Sequence, residues 1–341
     1  MWNDYRGERY GQAPANPIAS GAGLNVDSGV SDETAHRASA SASAQEFVRI
    51  GSGLAGSYPV FGAKVAELFN RHVSGVKAST FAGPTEQSLV KLQRGEAEAV
   101  LTYTFEAEST YQGRGELKTP APLLRHLMTT YGAVHIPIVR KSVEINTLAD
   151  LTRKPYRVWL GPKSSVFWPM NMAALGAYGV TPEAITKAGG VINSAGYQTL
   201  MQAFQDGQVD VAFFSGPIPY SLLMELDRGT GFRMLGFDEA SIKRYNELLP
   251  GTSLARIPAN TYKSSPAEVV VPYTVNQIVV SARLPDAMVY QMAKVLNERH
   301  AELHGLFAGA SEITPKRALE HNRVPLHPGA ERYYRETGLI K

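Results

Sequence analysis

Residues Phe47–Phe69 read FVRIGSGLAGSYPVFGAKVAELF, a pattern of strand, glycine-rich turn and helix. Phe47, Val48 and Ile50 make a short β-prone run. Gly51, Gly53 and Gly56 break it where the backbone must turn and a ligand can come close. Val60, Phe61, Val65, Leu68 and Phe69 then recur at helical spacing, with Lys64 and Glu67 left for the solvent face. A helix that starts after such a loop offers unpaired N–H groups and a positive dipole end, which suit an anion.

Taken literally, Gly51–Gly56 is GxGxxG, the dinucleotide-binding pattern. Two features speak against it. Ser57 reads as the N-cap and Pro59 as a first-turn residue, so the helix starts after Gly56. An earlier start would bury Pro59 inside the helix at a cost of ~3 kcal/mol. The second strand also ends Ala78-Ser79-Thr80-Phe81, without the carboxylate that a ribose requires. The loop reads as a cradle for another ligand.

The chain has 341 residues, a length that suits about two domains. Its 44% hydrophobic and 19% charged residues are ordinary for a globular protein, and its net charge of +3 gives no case for nucleic acid. Zero cysteines exclude thiol catalysis, disulfides and cysteine metal sites, and suit an exported protein. No run reaches the ~18 apolar residues of a membrane span. Residues 1–45 are rich in Ala, Ser, Gly, Asn and Asp, lack apolar periodicity and read as disordered. Ala42-Ser43-Ala44 resembles a small-x-small cleavage site, but no apolar core precedes it. A mis-assigned start, or altered upstream sequence, in a normally exported protein would account for it.

From residue 46 onward strands and helices alternate, the mark of an α/β protein. Strands are expected near 76–80, 100–104, 157–160, 191–192, 209–214 and 232–236. Helices are expected over 167–178, 197–205, 220–226 and 287–299, with a further one around Leu89 and Leu92 ending at Gly95 and a short one around Leu148 and Leu151. Extended runs at 135–139, 269–271 and 274–281 look like crossings between two α/β units. The organisation expected is 46–136 plus 275–341 as lobe I and 137–274 as lobe II. A cleft between lobes is a usual small-molecule site.

Gly161-Pro-Lys-Ser-Ser-Val-Phe-Trp168 follows a second-unit strand and precedes its helix, as the counterpart of the opening loop. Ser164 or Ser165 suits a helix cap, Lys163 adds charge, and Phe167 and Trp168 offer stacking surface or core. Thr85 and Ser88 open the helix after the second strand as caps or ligands. Tyr103 ends the third strand as ligand or core. His300 and His304 stand four apart, but HAELH misplaces the glutamate of HExxH, so a solvated helix face is expected. No serine sits in GxSxG.

These loops, in this order, resemble the TAXI family, the extracytoplasmic solute-binding subunits of one class of TRAP transporters. The opening loop is similar to the family's GTGGTGGxYYP, Leu89–Glu96 to LLQSGEAD, and Gly161-Pro162 to its second glycine-proline loop. Ala203–Phe213 is similar to ALKDGQIDAAF. Val324-Pro-Leu-His-Pro-Gly-Ala-Glu-Arg-Tyr-Tyr-Arg-Glu336 resembles the near-C-terminal signature almost residue for residue.

The resemblance implies a two-lobed type II periplasmic-binding-protein fold with hinge-connected lobes. It implies a periplasmic protein that hands a small organic anion to TRAP-type membrane permease subunits, without catalysis, cofactor, metal or nucleic acid, and as a monomer. Carried over by position, the binding residues are Ser52, Gly53, Gly56, Ser57, Tyr58, Thr85, Ser88, Tyr103, Lys163, Ser164, Ser165, Phe167, Trp168 and Ser215. Within these loops the chain departs from the family. Leu54-Ala55 replaces paired glycines, Pro84 a glycine, and Val166-Phe167-Trp168 a small polar stretch. These changes add apolar surface, so the expected ligand is a carboxylate with an apolar or aromatic part. A ligand sensor or an enzyme on the same scaffold is the alternative.

Overall fold

Alternating β-prone runs and glycine- or cap-started helices build an α/β layering around one mixed sheet. The computed structural model describes residues 45–54, 56–163 and 165–341. Apart from Gln45, the N-terminal segment read as disordered lies outside the described residues, as does Ser164.

β1 (Glu46–Gly51), β2 (Val76–Phe81) and β3 (Ala99–Tyr103) run parallel in the order β2-β1-β3. α1 (Tyr58–His72) joins β1 to β2, with Pro59 in its first turn. It buries Phe61, Val65, Leu68 and Phe69, each worth roughly 1.5–3 kcal/mol. Lys64 and Glu67 pair at 3.0 Å on its outer face. α2 (Thr85–Arg94) joins β2 to β3 and stops at the left-handed Gly95. α3 (Thr104–Tyr111) follows β3 without a break, where no helix is expected from the pattern. Thr104, Phe105, Glu106, Ala107 and Thr110 are all buried there, so no one-sided apolar stripe exists to be read.

Two long strands cross the molecule. β4 (Leu124–Val139) and β10 (Val269–Ser281) pair antiparallel. β4 runs eleven residues upstream of the expected 135–139. Those residues include Arg125, His126, Thr129 and Thr130, which do not read as core. They are covered because the C-terminal segment runs along the strand's edge, where His126 N donates to Pro325 O and Thr129 N to Ala318 O. β10 continues through Pro272 because that end pairs with β9 (Ser253–Ile257) on one side while its pairing with β4 stops at Tyr273.

Beyond β4 lie β7 (Val211–Gly216), β5 (Arg157–Trp159) and β6 (Val191–Asn193), giving the order β2-β1-β3-β10-β4-β7-β5-β6. The short β8 (Arg233–Met234) pairs with β4. α4 (Phe167–Ala177), α5 (Pro182–Lys187) and α6 (Tyr197–Gln205) fall between β5 and β7, and α7 (Ser221–Arg228) and α8 (Glu239–Leu248) follow it. α9 (Asp286–Glu298) and α10 (Pro328–Glu336) close the chain. One core gathers around Phe61, Tyr131 and Leu296, a second around Leu175, Phe213 and Tyr245.

His300 is not on a solvated helix face. His300–Leu303 is a 3-10 turn, and both histidines are partly buried, with His300 Nδ1 2.8 Å from Asn297 O and His304 Nε2 3.0 Å from Ile313 O. The Val324–Glu336 signature is packing. His327 Nδ1 accepts from Gly329 N, and a Cβ on Gly329 would collide with the Asp286 carbonyl oxygen. Tyr334 donates to Leu127 O at 2.6 Å.

Candidate ligand-binding site

The two parallel triplets point in opposite directions because β10 and β4 lie antiparallel between them. Their carboxyl ends therefore meet over the crossing strands. β3 ends at Tyr103 opposite Asn276, and β7 ends at Gly216 opposite Val134, itself opposite Tyr273. The two ends are separated along β10 by about 10 Å, at ~3.3 Å per residue. Paired side chains share a face, so Tyr103, Asn276, Thr274, Ala133, His135 and Ser215 line one side. The carboxyl ends of parallel strands are where open α/β sheets bind ligands.

The opening loop is tied to this face by hydrogen bonds. Tyr58 donates to Asn276 Oδ1 at 2.6 Å, and Asn276 Nδ2 donates to Tyr131 O at 2.9 Å. Ser57 holds the N-cap position, as expected, yet its hydroxyl makes no cap bond and lies 2.6 Å from the Tyr131 hydroxyl instead. Gly53 has φ 67°, and a Cβ there would stand 2.7 Å from the Tyr58 ring, so only glycine fits. Gly56 is also left-handed. Ser52 is buried and donates to Phe81 O at 3.3 Å. Thr85 is buried at the start of α2, and Ser88 donates to Pro84 O at 3.0 Å beneath Gly51. Neither caps α2, whose N-cap is Pro84.

The second loop is held by apolar contact. Phe167 and Val166 pack against Tyr103, Phe105, Ala133 and Met170. Trp168 leans on the second core. Ser165 accepts from Phe167 N at 3.2 Å, but it does not cap α4, whose N-cap is Val166 and lacks a side-chain cap bond. Lys163 is exposed, its ammonium 5.6 Å from the Trp168 ring centre. Tyr58, Tyr103, Phe167 and Ser215 thus gather on or against one face, while Lys163 stands outside, Ser88 lies beneath Gly51 and Thr85 is buried at the start of α2.

Rings and a few polar groups dominate the gathered face. Tyr58 and Tyr103 stand 6.1 Å apart, and Tyr103 stacks on Phe105 at 5.4 Å. Burial raises both tyrosine hydroxyls far above their usual range. The neighbouring Ser215 hydroxyl partly offsets this for Tyr103, although the two oxygens miss hydrogen-bond geometry. Ser215 is 5% exposed, and its hydroxyl has no partner among the described residues. His135, opposite Ser215, bonds Asn171 Oδ1 through Nε2 at 2.8 Å, and burial holds its imidazole down at about 4. Glu106 lies just beyond Tyr103 and accepts from Thr102 Oγ1 and Tyr103 N. Burial pushes its carboxyl up to about 8.

Asn276, Tyr131, His135 and Glu106 escaped the sequence reading. The available signal was a polar residue interrupting an extended apolar run. A cavity of about 420 Å³ lies on the opposite face of the crossing strands, against Gly132, Val134, Gly216 and Tyr273, and none of the expected ligand residues lines it. Among the described residues no His, Asp or Glu cluster could hold a metal, and no helix is long and apolar enough to cross a membrane.

In overall likeness the chain is similar to several solved proteins. One is XAC2383 from Xanthomonas citri, at 15% identity over 86% of this chain and 97% of that one, with a TM-score of 0.47. Another is the periplasmic aliphatic sulphonate binding protein SsuA from Escherichia coli, at 18% identity over 84% and 78%, with a TM-score of 0.44. A third is a binding protein component of an ABC phosphonate transporter from Pseudomonas aeruginosa, at 13% identity over 79% and 78%, with a TM-score of 0.43. None of these likenesses says what this chain binds. The NMT1-like family model matches residues 51–338, from the last residue of β1 to just beyond α10. The chain belongs to the NMT1-like family, and its fold is α/β.

Proposed function

We propose that this chain is the periplasmic solute-binding subunit of a TRAP-type transporter of the TAXI kind. It traps a small organic anion between two lobes, 46–136 plus 275–341 and 137–274. It works as a monomer that passes its ligand to membrane permease subunits, and it binds without turnover or cofactor. One observation carries the reading. The starts of α1 and α4 converge on a single face, where the buried Ser215 hydroxyl lacks a partner among the described residues. Helix starts suit a carboxylate, and Tyr58, Tyr103 and Phe167 suit an apolar or aromatic remainder. Micromolar affinity, ~8 kcal/mol, is within reach of a few charge-assisted bonds and one stacked ring.

Native mass spectrometry of the purified chain tests this. The expected result is a retained mass of a small organic acid, released on denaturation. A chain that carries nothing and accepts no carboxylate on addition contradicts it.

A further inference from the structure

We infer that Glu106 sets the charge the site tolerates: an organic anion binds there together with a proton held on Glu106. The inference rests on the anion reading above and adds a specificity-determining residue to it. Glu106 is 8% exposed at the start of α3. One carboxyl oxygen accepts from Thr102 Oγ1 at 3.1 Å and from Tyr103 N at 3.3 Å. Tyr103 is the residue whose ring meets Tyr58 and Phe167 at the candidate site.

The groups around Glu106 offer no positive charge. α1 contributes the Tyr58 phenol, β3 the Thr102 hydroxyl and the Tyr103 phenol, and α2 the Glu86 carboxylate. No ion pair to Glu106 exists among the described residues. Lys163, the cation of the second loop, is exposed over Trp168. A buried carboxylate without a counter-charge is costly, so the group keeps its proton instead. Burial is the main cause, with Glu86 adding to it and the bonds from Tyr103 and Thr102 opposing it.

The carboxyl is bonded to the Tyr103 backbone N–H, so a charge on it lies at the end of the strand that carries the Tyr103 phenol and raises that phenol and the one of Tyr58. It therefore reaches a ligand anion beside them. Two like charges in one buried site exclude each other, so ligand binding strengthens the hold on the proton, and loss of the proton weakens binding. The proton comes from solvent and stays on the carboxyl; no bond other than O–H forms.

The test uses the full chain and benzoate, a monoanion with a ring, with benzamide as its neutral counterpart. Calorimetric titrations from pH 6 to pH 9.5, in two buffers of different protonation enthalpy, count the protons taken up. Benzoate is expected to bind without proton uptake near pH 6 and with uptake that grows through pH 8, where its affinity falls by up to about tenfold per pH unit. Benzamide affinity stays flat, and Glu106→Gln removes both the uptake and the slope. A benzoate affinity independent of pH without uptake, or a slope that survives in E106Q, overturns the inference.

A carbon NMR titration of Glu106 in the ligand-free chain separates the two claims. Titration near the ordinary 4.5 overturns the inference whatever benzoate does. Titration near 8 with no binding of benzoate, phenylacetate or an aliphatic monocarboxylate at any pH overturns the anion reading, and the inference falls with it.

Discussion

The loops 51–58 and 161–168 both lead from a strand into a helix, yet they are held in place by different physics. The first is fastened by polar bonds to buried partners: Tyr58 to Asn276, Ser57 to Tyr131, Ser52 to Phe81. Gly53 is forced by close approach to the Tyr58 ring, and Gly62, in α1, by the Ser52 side chain. The second is fastened by Phe167, Val166 and Trp168 packing on rings and aliphatic residues, with one local hydrogen bond from Phe167 N to Ser165. Hydrogen bonds to buried partners fix direction, whereas apolar packing is non-directional and tolerates repacking. The first loop is therefore the more rigidly directed of the two, and the second the more tolerant of repacking.

The largest expected effect lies beside the first loop. The folded-state value of Glu106 is raised from 4.5 to about 8. Its contribution to stability is fully present below pH 4.5 and lost as pH rises to and through about 8. The loss is on the order of 5 kcal/mol, and E106Q should flatten that part of a denaturant-derived stability profile. A profile unchanged by E106Q would remove the polar side of the contrast.

Phe167→Ala comes next. Loss of its half-buried ring should cost about 2 kcal/mol in urea unfolding and leave the first loop's hydrogen-exchange protection unchanged. Tyr58→Phe keeps the ring and leaves Asn276 Oδ1 buried without its donor, a cost of roughly 1.5 kcal/mol. Its mark is a loosened first loop, seen as faster amide exchange over 52–58. If Phe167→Ala loosened 52–58 as much as Tyr58→Phe does, the two loops would not be independently fastened. Lys163→Ala should change stability by less than about 0.5 kcal/mol, as expected for an exposed cation over a ring. A larger loss would show that Lys163 is part of the second loop's packing.

Much of this is legible in the sequence itself. The glycine loop, Pro59 in the first turn and the apolar face of α1 all follow from spacing. α6 (Tyr197–Gln205) runs over the span its pattern indicates. What was not readable has physical causes. α3 is buried on several sides and so has no stripe. The upstream part of β4 becomes core only when the C-terminal segment, nearly two hundred residues later, covers its edge. α10 reads as a motif rather than a helix because His327, Pro328 and Gly329 were selected for capping and close packing. Ser215, Tyr58 and Tyr103 can be singled out from the sequence as candidates because they sit at strand ends and helix starts. Asn276 and Glu106 cannot, since their importance depends on which strand lies beside them and on the lack of a nearby cation.

The most direct test of a two-loop anion site is the melting temperature of the wild-type chain across a panel of carboxylates. The panel should include benzoate, phenylacetate, aliphatic monocarboxylates and glutamate, measured at pH 7. The account predicts that at least one aromatic or apolar monocarboxylate raises the melting temperature in a saturable way, by more than glutamate does. Clear stabilisation by glutamate, with no response to any aromatic or apolar acid, would contradict it.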